Sequence, residues 1–95
     1  MTPSQRKMAR SALGLDGERR QSYRNRYVAG LGTTHEDEWN DLCRRGLAER
    51  GTDGIAVVGF CLTLEGAREA LDPPEILDPE DFPDAVSTPG EPNAS

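Results

Sequence analysis

The last 24 residues, 72–95, hold six of the chain's seven prolines and seven carboxylates without a single lysine or arginine. Proline fixes φ and lacks an N–H, and a run of like charges repels itself, so this stretch is a poor source of helix or central strand. Its apolar residues Ile76, Leu77, Phe82 and Val86 follow neither a helical nor a strand period. Residues 73–95 therefore read as a Pro-rich, acidic tail, disordered or loosely docked, and folding falls to one domain over residues 1–72. Such a tail either solubilises the chain or acts as an acidic peptide that mimics phosphate and competes for a basic groove.

What remains must fold with little apolar material. The chain is 35% hydrophobic and has five aromatic residues, Tyr23, Tyr27, Trp39, Phe60 and Phe82. A core of that size supplies about 3–5 kcal/mol, which leaves no room for a large buried active site. There is no apolar run long enough to span a bilayer, and the opening MTPSQRKMAR lacks the apolar stretch of a secretory leader. The expected setting is cytoplasmic, with no membrane contact.

Local signals place the elements. Thr2, Pro3 and Gln5 form a helix start, and Met8, Ala9, Ala12 and Leu13 recur at helical spacing before Gly14. Residues 18–29 are ambiguous, because Tyr23 and Tyr27 lie one helical turn apart while Tyr-Val also suits a strand; they read as irregular or as a short helix. Thr34 predicts an N-cap for a second helix beginning near His35, with the stripe Trp39, Leu42, Cys43, Gly46 and Leu47 facing the core and Gly46 ending it. Leu47–Arg50 reads as a short strand, Gly51–Gly54 as a turn, and Ile55–Leu62 as a strand apolar on both faces, with Gly59 as a possible bulge site. Thr63 caps a last helix, Leu64–Leu71, with Leu64, Ala67 and Leu71 inward. The expected class is α+β, in the order helix, helix, β-hairpin, helix. The two-faced strand could be covered by the chain's own helices or by a second copy, a homodimer.

Charge is segregated along the chain. Residues 1–31 carry Arg6, Lys7, Arg10, Arg19, Arg20, Arg24 and Arg26 against Asp16 and Glu18, a net of +5, although the whole chain stands at -6. The segment RRQSYRNRY sets Arg19, Arg20, Arg24 and Arg26 around Tyr23 and Tyr27. Guanidinium groups interleaved with aromatic rings suit phosphate contact and base stacking, so Arg19, Arg20, Tyr23, Arg24 and Arg26 are candidate nucleic-acid contacts, with Thr52 of the hairpin. The plainer alternative puts the tyrosines in the core and pairs the arginines with Glu36, Asp37, Glu38 or the tail. The acids Glu36, Asp37, Glu38 and Asp41 are in turn candidates for a protein partner with a basic surface.

Catalytic and metal chemistry have no foothold in these spacings. No nucleophile elbow, phosphate-binding Gly-rich loop or His-Glu-x-x-His occurs, and the exposed carboxylates are unsuited to general acid work. Cys43, Cys61 and His35 lack ligand spacing; the cysteines read as small buried hydrophobes in a reducing compartment, with an internal disulfide as the alternative. No enzyme activity, cofactor or metal is expected.

The run from Leu42 to Leu71, with Arg45-Gly46-Leu47, a turn-centred hairpin, Phe60-Cys61-Leu62-Thr63 and then Gly66 and Leu71, resembles the end of a winged helix domain. That resemblance implies a winged-helix-like fold in which residues 35–45 stand where the family has its recognition helix. The acids on that helix carry the charge of phosphate, so a nucleic-acid reading turns it away and uses the basic arm and the wing. The wider pattern, Ala12-Leu13-Gly14-Leu15, SYRNRYVAG, Trp39 and Leu42, is similar to small phage or prophage proteins, which implies a mobile-element origin. Two functions follow: a non-enzymatic binding module acting through a protein partner, or a nucleic-acid-binding regulator using residues 19–26, with DNA or RNA as ligand.

Overall fold

Thr2 opens the chain's first helix with a reciprocal cap: its hydroxyl accepts from the Gln5 N–H at 3.0 Å, and its own N–H donates to Gln5 Oε1 at 3.0 Å. The computed structural model describes residues 1–15 and 17–83. The elements are α1 (Pro3–Leu13), β1 (Tyr27–Gly30), α2 (Thr34–Arg44), β2 (Ala48–Asp53), β3 (Val57–Leu62) and α3 (Leu64–Ala70). The three strands form one antiparallel sheet in the order β1-β3-β2. The protein is thus a small α+β fold with three helices and a three-stranded antiparallel sheet among the described residues.

The third strand corrects the expected order of elements. Tyr27–Gly30, which overlaps the end of the 18–29 stretch read as irregular or as a short helix, pairs with β3 from Tyr27 opposite Phe60 to Gly30 opposite Val57. Four residues carry too short a pattern to announce a strand; the partner edge of β3 decides it. The hairpin also shifts. Gly51–Asp53 belong to β2, the turn falls at residues 54–56, and β3 begins at Val57, so that Ile55, expected to open the strand, lies in the turn and is 99% exposed. The irregularity expected at Gly59 lies across from it: between Arg50 and Asp53, β2 takes one residue more than β3. The α2 cap is Thr33 instead of Thr34, its hydroxyl accepting from the Glu36 N–H at 3.3 Å.

The core sits between the helices and the inner sheet face of Val58, Phe60 and Leu62. Trp39 is fully buried at its centre, stacked on Phe60 at a centroid distance of 5.4 Å with Tyr27 at 5.2 Å. The helical stripe holds for Trp39 and Leu42, whereas Cys43 and Cys61 are only half-buried, free thiols, and Gly46 is exposed. Of the residues expected inward on α3, Ala67 is buried while Leu64 and Leu71 are half-buried; Gly66 and Ala70 complete that face. Gly66 lies so close to the Leu47 carbonyl that an added Cβ would overlap it.

Residues 73–83, expected in the tail, are packed on the domain. Ile76 bridges to Gln21 in parallel fashion, and Leu77 and Phe82 join the core. Val86 and the rest of the expected tail lie outside the described residues.

Candidate nucleic-acid interface

The last turn of α1 leaves carbonyls without helical partners, and the chain returns to supply them. The Tyr23 N–H donates to Leu13 O at 3.1 Å and the Arg26 N–H to Ala12 O at 3.0 Å, while Arg24 donates to Ser11 O through Nε at 3.2 Å and Nη2 at 2.8 Å. Cationic side chains at this end also suit the helix dipole. From the other side, the Ser22 N–H donates to Ile76 O at 3.0 Å and the Ile76 N–H to Arg20 O at 2.9 Å. Asn25 closes the clamp, its amide donating to Leu62 O at 3.0 Å and accepting from the Leu62 N–H at 2.8 Å. The backbone of residues 20–26 is therefore held, with the side chains of Arg19, Arg20, Tyr23, Arg24 and Arg26 exposed along it.

Tyr23 has the most contacts described within the arm. Gly14 ends α1 in the left-handed region, φ 81°, and a Cβ at that position would collide with the Tyr23 ring, so the ring lies flush on the glycine. The Arg19 guanidinium carbon is 4.3 Å from the ring centroid and that of Arg24 5.1 Å, both within cation–π range. Tyr23 remains 46% exposed. The alternative that buries both tyrosines thus holds for Tyr27 alone, which packs on Trp39 and brings its hydroxyl to 3.3 Å from His35 Nδ1.

Arg26 and Thr52 come together on the outer sheet face. They line one open concavity of about 450 Å³ with Asn25, Glu49, Gly59 and Cys61, and Arg26 Nε lies near the bare face of Gly59. Glu49 is the acid of this hollow; the Cys61 thiol contacts its Oε1 at 3.9 Å, and burial pushes the Cys61 thiol up, as it does that of Cys43.

None of Arg19, Arg20, Arg24 and Arg26 has a carboxylate partner among the described residues, which removes the expected pairing with α2. The acids of α2 are engaged elsewhere. Glu36 accepts from the Gly32 N–H at 2.8 Å and pairs with Arg50 at 2.9 Å, and these two contacts hold its carboxyl below the usual range. Asp41 accepts from Gln5 at 2.9 Å and pairs with Arg44 and Arg45 at 3.2 and 3.5 Å, which lowers it as well, the Gln5 bond foremost. Glu38 accepts from the Ser4 hydroxyl at 2.8 Å, and Asp37 stands exposed.

Sequence reasoning missed the α1 arginines as structural parts. Arg10 meets both Glu75 oxygens at 2.6 Å, and donates to Ala70 O at 2.9 Å and Leu15 O at 3.2 Å. Asp72 pairs with Arg6 and lies 3.5 Å from Arg10. Arg10 holds the Glu75 carboxyl down to about 2. The only signal was an excess of acids after α3, which read as tail.

Among the described residues no group of three or more His, Cys, Asp or Glu is placed to hold a metal ion, and no helix is long and apolar enough to cross a membrane. No protein-family model, curated protein or solved structure matches the chain.

Proposed function

We propose that this protein is a small non-catalytic binding module that engages nucleic acid through the arm of residues 19–26 and the adjoining hairpin. One observation carries the reading: four arginines stand on a backbone clamped at both sides, without a carboxylate partner among the described residues, around an exposed tyrosine. Elsewhere Arg6, Arg10, Arg44, Arg45 and Arg50 meet carboxylates within the fold, whereas the arm gathers four of the five described arginines that lack such a partner, Arg68 being the fifth, and so concentrates cationic groups for an external anion. Arg19, Arg20, Arg24 and Arg26 contact phosphate, Tyr23 offers a ring, and Thr52 donates from the hairpin beside Arg26.

The order helix, strand, helix, hairpin, helix with β3 at the centre supports a winged-helix-like arrangement with the β2–β3 hairpin as wing. The acidic α2 faces away from the ligand, since Glu36, Asp37 and Glu38 would meet phosphate with like charge. The rival reading, a protein partner with a basic surface docked on Glu36, Asp37, Glu38 and Asp41, has less to work with because three of these carboxylates are already held inside the chain.

Titration of non-specific duplex and single-stranded oligonucleotides at several salt concentrations tests the proposal. Wild type is expected to bind at 50 mM salt with affinity falling steeply as salt rises, by a log–log slope of up to about -3.6 on duplex if all four arginines meet phosphates. Changing Arg19, Arg20, Arg24 and Arg26 to Ala abolishes that dependence. Undetectable binding by wild type at 50 mM salt overturns the reading. Sedimentation of the same samples distinguishes a monomer from a homodimer.

A further inference from the structure

We infer that the ligand of the arm is single-stranded nucleic acid, with an unpaired base received at the Tyr23 ring. This rests on the nucleic-acid reading above and narrows it by strand class.

The phenol is set out as a platform before any ligand arrives. Its backbone N–H is fixed to Leu13 O, its ring lies on Gly14, and Arg24 beside it is tied to Ser11 O by two donors. Little ordering entropy is therefore left to lose on binding. Arg19 is the movable wall: its guanidinium rests 4.3 Å from the ring centroid and has no carboxylate partner among the described residues. A base can take its place on the ring, or stack on the guanidinium plane itself, since both surfaces are flat and π-bearing. A base can reach such a ring only when it is free of a partner strand, because in a duplex its faces are occupied by its neighbours in the stack.

The surroundings argue the same way. A duplex is read by an element inserted in a groove, and α2, the helix available for it, carries Glu36, Asp37 and Glu38 in its first turns. The hairpin turn offers Ile55 and no cation. What does run beside Tyr23 is a short non-helical backbone with Arg24 and Arg26, ending at the concavity that Arg26 shares with Thr52. A cationic track beside an aromatic ring is suited to one flexible strand.

The test uses the full chain with fluorescently labelled 12-nucleotide oligo-dU, oligo-U and a mixed duplex of the same length, read by anisotropy at 50 and 150 mM salt. Wild type is expected to bind at least one single strand about tenfold more tightly than the duplex, and oligo-dU against oligo-U, which differ only in the 2′-hydroxyl, identifies the sugar. Tyr23→Leu is expected to lose about tenfold on the single strand and little on the duplex, whereas Tyr23→Phe, which keeps the ring, binds as wild type. Arg20→Ala with Arg26→Ala lowers both kinds of complex together. Thermal unfolding of the two Tyr23 variants checks that the ring's removal leaves the fold intact; should Tyr23→Leu unfold, Tyr23→Gln, which has no ring but keeps a polar side chain at this exposed position, gives the same comparison against Tyr23→Phe on the folded chain. Equal binding of duplex and single strand, unaffected by Tyr23→Leu, overturns this inference and leaves the nucleic-acid reading standing. Absence of binding to all three at 50 mM salt overturns both.

Discussion

The protein uses arginine in two ways, and the contrast lies in what each guanidinium touches. Arg10 is half-buried among α1, the end of α3 and the 72–75 segment, where both Glu75 oxygens and two backbone carbonyls take up its donors. Arg50 joins Glu36, Asp53 and Asn40 across α2 and the hairpin. Arg19, Arg20 and Arg26 stand exposed with no such acceptor among the described residues, and Arg24 spends part of its capacity on one carbonyl. In a chain with a small core, charged staples take over part of the stabilisation, and a cation outside the staples is available to a partner. Total charge, at -6, conceals this division.

The contrast can be broken from the structural side first. Arg10→Ala strands the Glu75 carboxylate and opens two carbonyls, and is expected to cost about 3 kcal/mol in urea unfolding followed by circular dichroism. A cost below about 0.5 kcal/mol would show that the pairing is incidental. Glu75→Gln is expected to cost about 1.5 kcal/mol at pH 7. Its pH dependence has a definite sign: Glu75 lies near 2 in the folded chain against an ordinary 4.5, so its contribution is complete above 4.5 and is lost as pH falls toward 2. The stability gap between wild type and Glu75→Gln should close over that window, and a constant gap would contradict the ion pair. Arg50→Ala, at a more exposed and solvent-screened pair, is expected to cost less than either of these in the same assay. A loss as large as that of Arg10→Ala would place the hairpin, not the 72–75 segment, as the principal staple.

Much of the helical framework was legible because caps are local chemistry. Thr2-Pro3-Gln5 and Thr63 each announce a helix within four residues, and Gly14 ends one where a left-handed residue is required. Where two threonines adjoin, the first, Thr33, took the cap, since its hydroxyl also reaches back to donate to Gly30 O at 2.6 Å. Strand β1 was not legible, because its pairing with β3 lies about thirty residues away in sequence and its pattern is four residues long. The hairpin turn moved for a related reason: an extra residue between Arg50 and Asp53 let β2 run through the Gly-Thr-Asp that composition assigns to a turn. The packing of residues 73–83 depends on contacts as distant as Ser22 to Asp78, whose N–H donates to the Ser22 hydroxyl at 2.7 Å, and no periodicity reports them. For the candidate site, residue types sufficed to single out the arm. Which arginines were unpaired, and that Tyr23 stays out while Tyr27 goes in, followed only from tertiary geometry.

The smallest expected change in stability gives the most direct test. In the variant with Arg19, Arg20 and Arg26 all changed to Ala, the urea midpoint and the oligonucleotide affinity are measured on the same preparation. Stability within about 0.5 kcal/mol of wild type is expected, because these exposed side chains have no carboxylate partner among the described residues and the Arg19–Tyr23 contact lies at the surface. Affinity at 50 mM salt should fall on the order of thirtyfold, with a shallower salt dependence. A lowered midpoint with unchanged affinity would mean that these arginines serve the fold after all and that the proposed binding surface does not exist.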